Sequence, residues 1–333
     1  MVIVKGVPAN PYESACSRAP TRSTRFWTQL RTLGQGAYGV VWQSQWHSPL
    51  RLKPEKSSGN DMESRQEQLA TPVAVKRMKR SWTGTLSDCM KVREIESLLH
   101  IPRHANIIDI YDFFFCPDTS EIFMVFELME GSLHQLIDRR RRVEHALTDG
   151  LIFSIFKQIA TGIHHVHLSG FIHRDLKPEN VLLSTTGYSN YACPPSAPPQ
   201  HRDVTVQVKV ADFGLAREAS DDRPYTDYIA TRWYRPPEVL LHDRNYSTPV
   251  DVWALGLLLV ELVTLEALFA GNGELDQLGK ICDVLGYPSN EHGVDSRGHA
   301  IGGGSWPAGL ALAESAGFVF RKVSLSYSLQ PPW

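Results

Sequence analysis

Phe171-Ile172-His173-Arg174-Asp175-Leu176-Lys177-Pro178-Glu179-Asn180 places a carboxylate, an ammonium group and a carboxamide within six residues of one another. Asp175 can take a proton from an attacking hydroxyl, Lys177 can neutralise a phosphoryl oxygen, and Asn180 can hold a metal ion. Ten residues do not make an active site alone. The reading requires a nucleotide cover, an anchor for its phosphates and a second metal ligand elsewhere in the chain.

The chain has room for them. Its 333 residues suffice for one large or two smaller domains with an apolar core. A hydrophobic share of 42% and a charged share of 21% are ordinary for a soluble globular protein. The formal net charge of -2 gives no bulk attraction to nucleic acid or to an anionic membrane, so neither is expected as a partner. Cys16, Cys89, Cys116, Cys193 and Cys282 are scattered with no C-x-x-C spacing. That argues against zinc and against a disulfide framework, and suits a reducing compartment, cytoplasm or nucleus. The most apolar run, Val252 to Ala270, is broken by Glu261 and Glu266 and reads as a buried helix, not a membrane span. The N-terminus has no positively charged start followed by a long apolar run, so no secretory signal is expected.

Working outward from the loop, residues 1–25 are rich in Pro, Ser, Arg and Thr and read as a flexible leader. From Phe26 to Trp42 the pattern is strand, glycine turn, strand, with Gly34-x-Gly36-x-x-Gly39 at its centre. Glycines there let backbone amides approach a phosphate without obstruction. Val40-Val41-Trp42 favours a strand after the turn, so the turn covers a nucleotide and does not open a helix as in a dinucleotide fold. Residues 47–71 are polar and read as an insertion. Val73-Ala74-Val75-Lys76 is a strand whose lysine points at phosphates. A helix from about Leu86 to Leu99 sets Val92, Ile95, Leu98 and Leu99 on one side, with Glu94 the expected partner of Lys76 and Glu96 a solvated neighbour. Ile107 to Tyr111 and Ile122 to Phe126 are two further strands. The four arginines 139–142 read as a solvated loop after a short helix. Thr148 starts a long helix carrying Ile152, Phe156, Ile159, Ile163 and Val166 at helical spacing. After a second polar insertion, 184–206, Val208-Lys209-Val210-Ala211-Asp212-Phe213-Gly214 is a strand ending on a carboxylate beside a glycine turn.

In this order, glycine turn, strand lysine, helix glutamate, H-R-D loop, D-F-G and Arg235-Pro236-Pro237-Glu238, the chain resembles the eukaryotic protein kinases, whose motif set is known. The resemblance implies an α+β, two-lobed fold over residues 26–333: a β-rich lobe at 26–126, a hinge at 127–131 and a mostly helical lobe at 132–333. It implies an ATP- and Mg2+-dependent serine/threonine kinase acting on protein substrates. ATP would lie under Leu33, Gly34, Gln35, Gly36, Ala37, Tyr38, Gly39, Val40 and Val41, with Lys76 on its phosphates, Glu94 fixing Lys76, and Glu127 and Met129 at the adenine. Asp175 and Lys177 would be catalytic, and Asn180 and Asp212 would hold magnesium.

Tyr225-Thr226-Asp227-Tyr228 and Thr231-Arg232-Trp233-Tyr234-Arg235 resemble the activation loop of the CMGC group, which holds the mitogen-activated and cyclin-dependent kinases. Thr226 and Tyr228 are then the expected phosphorylation sites, served by an upstream kinase or by self-phosphorylation, with Arg174, Arg217 and Arg235 as phosphate partners. The T-D-Y loop, the Pro-rich insertion and the tail around Trp306 and Phe318 look most like the fungal meiosis-induction kinases and the male-germ-cell-associated kinases. That likeness implies a role in meiosis, differentiation or cell-cycle signalling. Lys91-Val92-Arg93-Glu94-Ile95 is not the cyclin-binding helix motif, which argues against a cyclin partner. Two departures stand out. Pro236 replaces the usual alanine, and the resemblance leads one to expect an incomplete helical lobe, in which Glu238 would lack the late arginine it pairs with in the family. The alternative is a truncated nucleotide-binding or scaffold module with little catalytic activity.

Overall fold

The computed structural model describes residues 2–8, 23–36, 39–50, 52, 70–78, 92–116, 118–186, 205–219, 232–288 and 304–320. Strands β1 (Val2–Pro8), β2 (Ser23–Gln35), β3 (Gly39–Trp46), β4 (Thr71–Met78), β5 (Ile110–Cys116) and β6 (Glu121–Glu127) form a closed barrel in the order β1-β2-β3-β4-β6-β5. Alternation along each strand sends successive residues to opposite faces. Val73 and Val75 therefore join Trp27, Trp46, Phe114 and Val125 in one core cluster, the two indoles stacked with centroids 5.5 Å apart.

Of the region expected to be a flexible leader, residues 9–22 lie outside the described residues, and the strand at its start is the departure. Val2–Pro8 is a strand, paired with β2 from Val2↔Trp27 to Gly6↔Ser23 and with β5 at Val7↔Phe115 and Pro8↔Phe114. The signal was the β-branched run Val2-Ile3-Val4, outweighed by the polar composition of the residues behind it.

The remaining strands are β7 (Gly131–Ser132), β8 (Phe171–Ile172), β9 (Val181–Thr186), β10 (Thr205–Val210) and β11 (Arg217–Glu218). β10, β9 and β7 form a three-stranded sheet, and β8 pairs with β11. The insertion expected at 184–206 is thereby shortened: Ser184 to Thr186 pair with Thr205 to Gln207 as continuations of the ladder. Thr and Ser read as loop composition, but paired strands accept both. The cores of both insertions, 53–69 and 187–204, lie outside the described residues.

The helices are α1 (Arg93–His100), α2 (Leu133–Arg142), α3 (Asp149–Leu168), α4 (Pro237–Leu240), α5 (Pro249–Thr264), α6 (Glu274–Leu285) and α7 (Pro307–Ser315). Residues 86–91 of the expected first helix lie outside the described residues; Ile95 and Leu98 of α1 are buried as its periodicity required. Thr148 accepts amides of Leu151 and Ile152 at the start of α3, and Ile159, Ile163 and Val166 are buried. The arginines expected in a loop instead form the last turn of α2, where cations favour the helix C-terminus. Arg142 pairs with Asp138 at 2.8 Å, and Arg141 donates through Nε, 2.8 Å, and Nη2 to the carbonyl of Leu265. α5 buries Leu257, Leu258 and Leu262 and also Glu261, which accepts the Tyr234 hydroxyl at 2.6 Å. No described helix is long and apolar enough to cross a membrane.

Two compact units result, one of residues 1–136 with 157–218 and the other of 137–156 with 219–333. They do not divide at the expected hinge, 127–131, because backbone bonds join the first strands to the later ones. Ile108 N–H donates to Val210 O at 2.9 Å, and Val210 N–H to Asn106 O at 2.8 Å.

Candidate active site

The strand–turn–strand expected at the glycine motif is present. Gly34 faces Val41 and Gln35 faces Val40 across β2 and β3, and Gly36 N–H donates to Gly39 O at 2.9 Å to close the turn. The glycines serve different ends. A Cβ on Gly39 would lie 2.1 Å from the carbonyl oxygen of Arg77, so this glycine is required by strand packing. A Cβ on Gly34 or Gly36 meets nothing within 4 Å, leaving their open backbone free for a ligand. Leu33 sits at a register shift between Thr32 and Gly34. Ala37 and Tyr38 lie outside the described residues.

Lys76 leaves β4 on the face opposite Val73 and Val75, toward α1. Its ammonium donates to Glu94 Oε1 at 2.8 Å and Oε2 at 2.6 Å, and stands 3.4 Å from Asp212 Oδ1. Glu94 is buried and Glu96 exposed, which separates two glutamates that sequence spacing leaves close. Burial works against the Lys76 charge, but the Glu94 and Asp212 carboxylates outweigh it and raise its pKa. Burial pushes the Glu94 carboxyl up, and the ammonium pulls it back. For Asp212 burial also works upward, yet Lys76, His173 and Lys177 hold its carboxyl below the ordinary value.

Asp212 adopts φ 62, ψ 70, a left-handed conformation that costs a side chain free energy and persists where its surroundings fix it. Those surroundings are visible. Phe213 is fully buried, edge-on to His173 with centroids 4.9 Å apart. His173 Nε2 donates to Ala211 O at 3.1 Å while its Nδ1 accepts the Asp175 amide at 3.3 Å. Ala211 N–H donates to Asn180 O at 2.8 Å. One imidazole and one amide thus tie the loop of Asp175 to that of Asp212.

Within the loop, Asp175 Oδ2 accepts from Lys177 Nζ at 2.7 Å and Asn180 Nδ2 at 3.0 Å, and Nδ2 also donates to the Asp175 carbonyl at 2.8 Å. Both donors fall on Oδ2; among the described residues none falls on Oδ1. Spending its nitrogen on Asp175 leaves Asn180 with Oδ1 as a hard oxygen donor. Asn180 is tied to the residue before Asp212 by the Ala211 amide, and a carboxamide oxygen with a carboxylate is a donor set that fits magnesium, which takes few protein ligands and completes its shell with water and phosphate. Among the described residues there is no His, Cys, Asp or Glu cluster of the kind that encloses a metal fully.

At the expected hinge the Glu127 side chain is already engaged. Oε1 lies 2.5 Å from Lys209 Nζ and accepts the Asp109 amide at 2.8 Å, while Lys209 also reaches Asp109 Oδ2 at 3.2 Å. The Glu127 amide is engaged as well, donating to Asp109 O at 3.1 Å. Met129 is buried, and among the described residues its backbone makes no hydrogen bond, so its amide and carbonyl are available. Sequence reasoning missed Lys209 and His173. A lysine between two valines of a strand was a signal for the first; the second stands in the H-R-D motif, where the reading gave roles to its neighbours alone.

Arg217 is buried on β11, opposite Ile172 of β8 and so beside the loop that carries Arg174, itself at φ 71. Arg235 belongs to the second compact unit. Thr226 and Tyr228 lie outside the described residues. Pro236 is the residue that caps α4, at φ -72, which a proline ring allows, and Pro237 takes the first helical position, which favours proline.

A barrel with one helix carries the glycine turn, and Lys76, Glu94, Asp175, Asn180 and Asp212 supply the charged and amide groups expected of a phosphoryl-transfer site. Comparison with known proteins agrees. Residues 57–295 match the family model described as protein kinase domain. The chain is 38% identical over 260 residues to a probable serine/threonine-protein kinase of Dictyostelium discoideum, covering 78% of this chain and 42% of that one. It is 36% identical over 294 residues to the serine/threonine-protein kinase MAK of Homo sapiens, covering 88% and 38%. It is 36% identical over 296 residues to cyclin-dependent kinase F-4 of Oryza sativa subsp. japonica, covering 89% and 51%. The chain belongs to the protein kinase family, within its CMGC group. It spans about two fifths to one half of the length of these relatives.

Proposed function

We propose that this chain is an ATP-dependent protein serine/threonine kinase that moves the γ-phosphoryl group of ATP to a hydroxyl of a protein substrate. The observation that carries the reading is the Lys76–Glu94–Asp212 cluster, assembled from residues 18 and 136 positions apart. Phosphoryl transfer has a loose transition state, so its catalysts mainly position groups and neutralise charge. Lys76, fixed by Glu94, holds the α- and β-phosphates. Asp175 accepts the substrate proton as the hydroxyl oxygen attacks the γ-phosphorus and the bond to the ADP oxygen breaks. Lys177 offsets charge on the transferring group. Asn180 and Asp212 would hold magnesium, which would supply positive charge to the phosphate oxygens.

The names of the relatives support serine and threonine as acceptors. Control through Thr226 and Tyr228, by an upstream kinase or by self-phosphorylation, rests on the T-D-Y sequence. A place in meiosis, differentiation or cell-cycle signalling rests on subfamily likeness.

Transfer of labelled phosphate from ATP to a Ser/Thr peptide library tests the activity. Asp175→Asn is expected to lower turnover by about 10²–10⁴-fold. Wild type no faster than that variant would overturn the reading. One observation favours a second reading, a nucleotide-binding module with little transfer. Glu238 is half-buried, burial pushes its carboxyl up, and it makes no ion pair among the described residues. Tight ATP binding without transfer is the outcome this second reading requires.

A further inference from the structure

Asp212 hangs from β10, and β10 is an edge strand: in its sheet only β9 lies beside it. Its outward backbone groups are nevertheless bonded: side chains stand opposite Val206 and Val208, and the backbone of Asn106 and Ile108 holds Val210 in a parallel bridge at Ile107. The carboxamide of Gln158, on α3, accepts the Val208 amide through Oε1 at 2.9 Å and donates through Nε2 to the Val206 carbonyl at 2.9 Å. It thus presents one acceptor and one donor to alternate residues, as a peptide group of a paired strand does. Asn106 continues the edge, donating through Nδ2 to Val208 O at 2.9 Å and accepting the Val210 amide at its carbonyl at 2.8 Å. Asn106 Nδ2 also donates to Gln158 Oε1 at 3.1 Å, which locks the two amides together. Val208 and Val210 are fully buried, so edge groups left without these partners would be costly.

We infer that Gln158 is a positioning residue for the phosphoryl-transfer site: it stands in for the missing strand and holds β10 in the register that sets Asp212. The inference rests on the reading of Asp212 as a magnesium ligand and adds a residue to it. Gln158 does not touch nucleotide, metal or substrate. Its effect passes along Val206, Val208 and Val210 to Ala211, whose amide is bonded to Asn180, and to Asp212 next to it.

The test uses the full chain with Gln158→Leu, which keeps bulk and removes both bonds, and Gln158→Glu, which keeps the acceptor and loses the donor. Phosphate transfer is titrated with magnesium at saturating ATP. Outer groups that orient metal ligands typically matter by 10–100-fold, so the magnesium needed for half-maximal rate is expected to rise about tenfold in Gln158→Leu and less in Gln158→Glu, with the peptide KM within about twofold. Amide exchange of residues 205–212 is read alongside and should quicken by about tenfold in Gln158→Leu. Leu278→Ala, in the second unit, is the control for general destabilisation and should leave the magnesium requirement unchanged. An unchanged requirement in both Gln158 variants of an active enzyme overturns the inference. If Gln158→Leu does not fold, Gln158→Glu carries the test alone. If wild type transfers no phosphate, the kinase reading falls, and unaltered exchange at 205–212 in the variants would then sink the anchoring as well.

Discussion

Lys76 is a charge placed where water cannot reach it, and its free energy depends on two carboxylates. Glu94 meets it through both oxygens and Asp212 through one. Replacing it removes more than a phosphate anchor, because Glu94 would stay buried without its cation. Breaking one side of a buried pair costs about 3–5 kcal/mol. Lys76→Met is therefore expected to lower the unfolding free energy by about that amount, measurable by urea denaturation, in addition to abolishing transfer. Lys76→Met with undiminished stability would show that Glu94 finds another partner. The same cluster sets a pH dependence. The Asp212 carboxyl is held below its ordinary value, against burial, by Lys76, His173 and Lys177. It stays ionised in the fold at a pH where the unfolded chain would take up a proton. Its contribution is complete above the unfolded value, about pH 4, and is lost as pH falls toward the folded one. Melting temperatures of wild type and Asp212→Asn should therefore converge below about pH 4.

At the scale of the element, the β2–β3 turn carries three glycines with the same sequence signature and different tasks. Gly39→Ala would press a methyl group into the backbone of β4 and is expected to cost about 1–3 kcal/mol of stability, with a lower melting temperature. Gly34→Ala and Gly36→Ala have space and should melt within a degree or two of wild type, yet raise the KM for ATP as the added methyl meets the phosphates. Equal loss of stability in all three would refute the division. The motif was readable because its spacing is local. The distinction among its members was not, because it depends on the Arg77 carbonyl, which lies against Gly39 only when β3 pairs with β4. α2 teaches the same lesson. Its four arginines gave no apolar periodicity, and Arg141 in the last turn meets the carbonyl of Leu265, far away in sequence.

For the whole molecule, the unexpected feature is closure of the barrel by β1. Without residues 1–8, β2 and β5 would each present an unpaired edge, and exposed edges invite association with other chains. A chain lacking them is expected to melt lower, by about 2–4 °C for each kcal/mol of pairing lost, and to scatter light at concentrations where the full chain does not. An unchanged melting temperature would assign β1 no part in stability. The contact structure also assigns residues 157–218, with the catalytic loop and Asp212, to the same compact unit as the barrel. That is why Lys76 and Glu94 can be held against Asp212 within one body.

The sequence by itself determined the family, the α+β class and the identity of the reacting groups. Those rest on short motifs whose chemistry lies in residue type and close spacing: three glycines in a turn, a lysine on a strand, Asp175 to Asn180 on one loop. Only the tertiary structure decided where the Glu127 side chain turns, that the first residues close a barrel, and that Gln158 and Asn106 complete the edge of β10. These are contacts between residues distant in sequence, fixed by strand register and by the need to pair every buried backbone group, and neither leaves a local pattern.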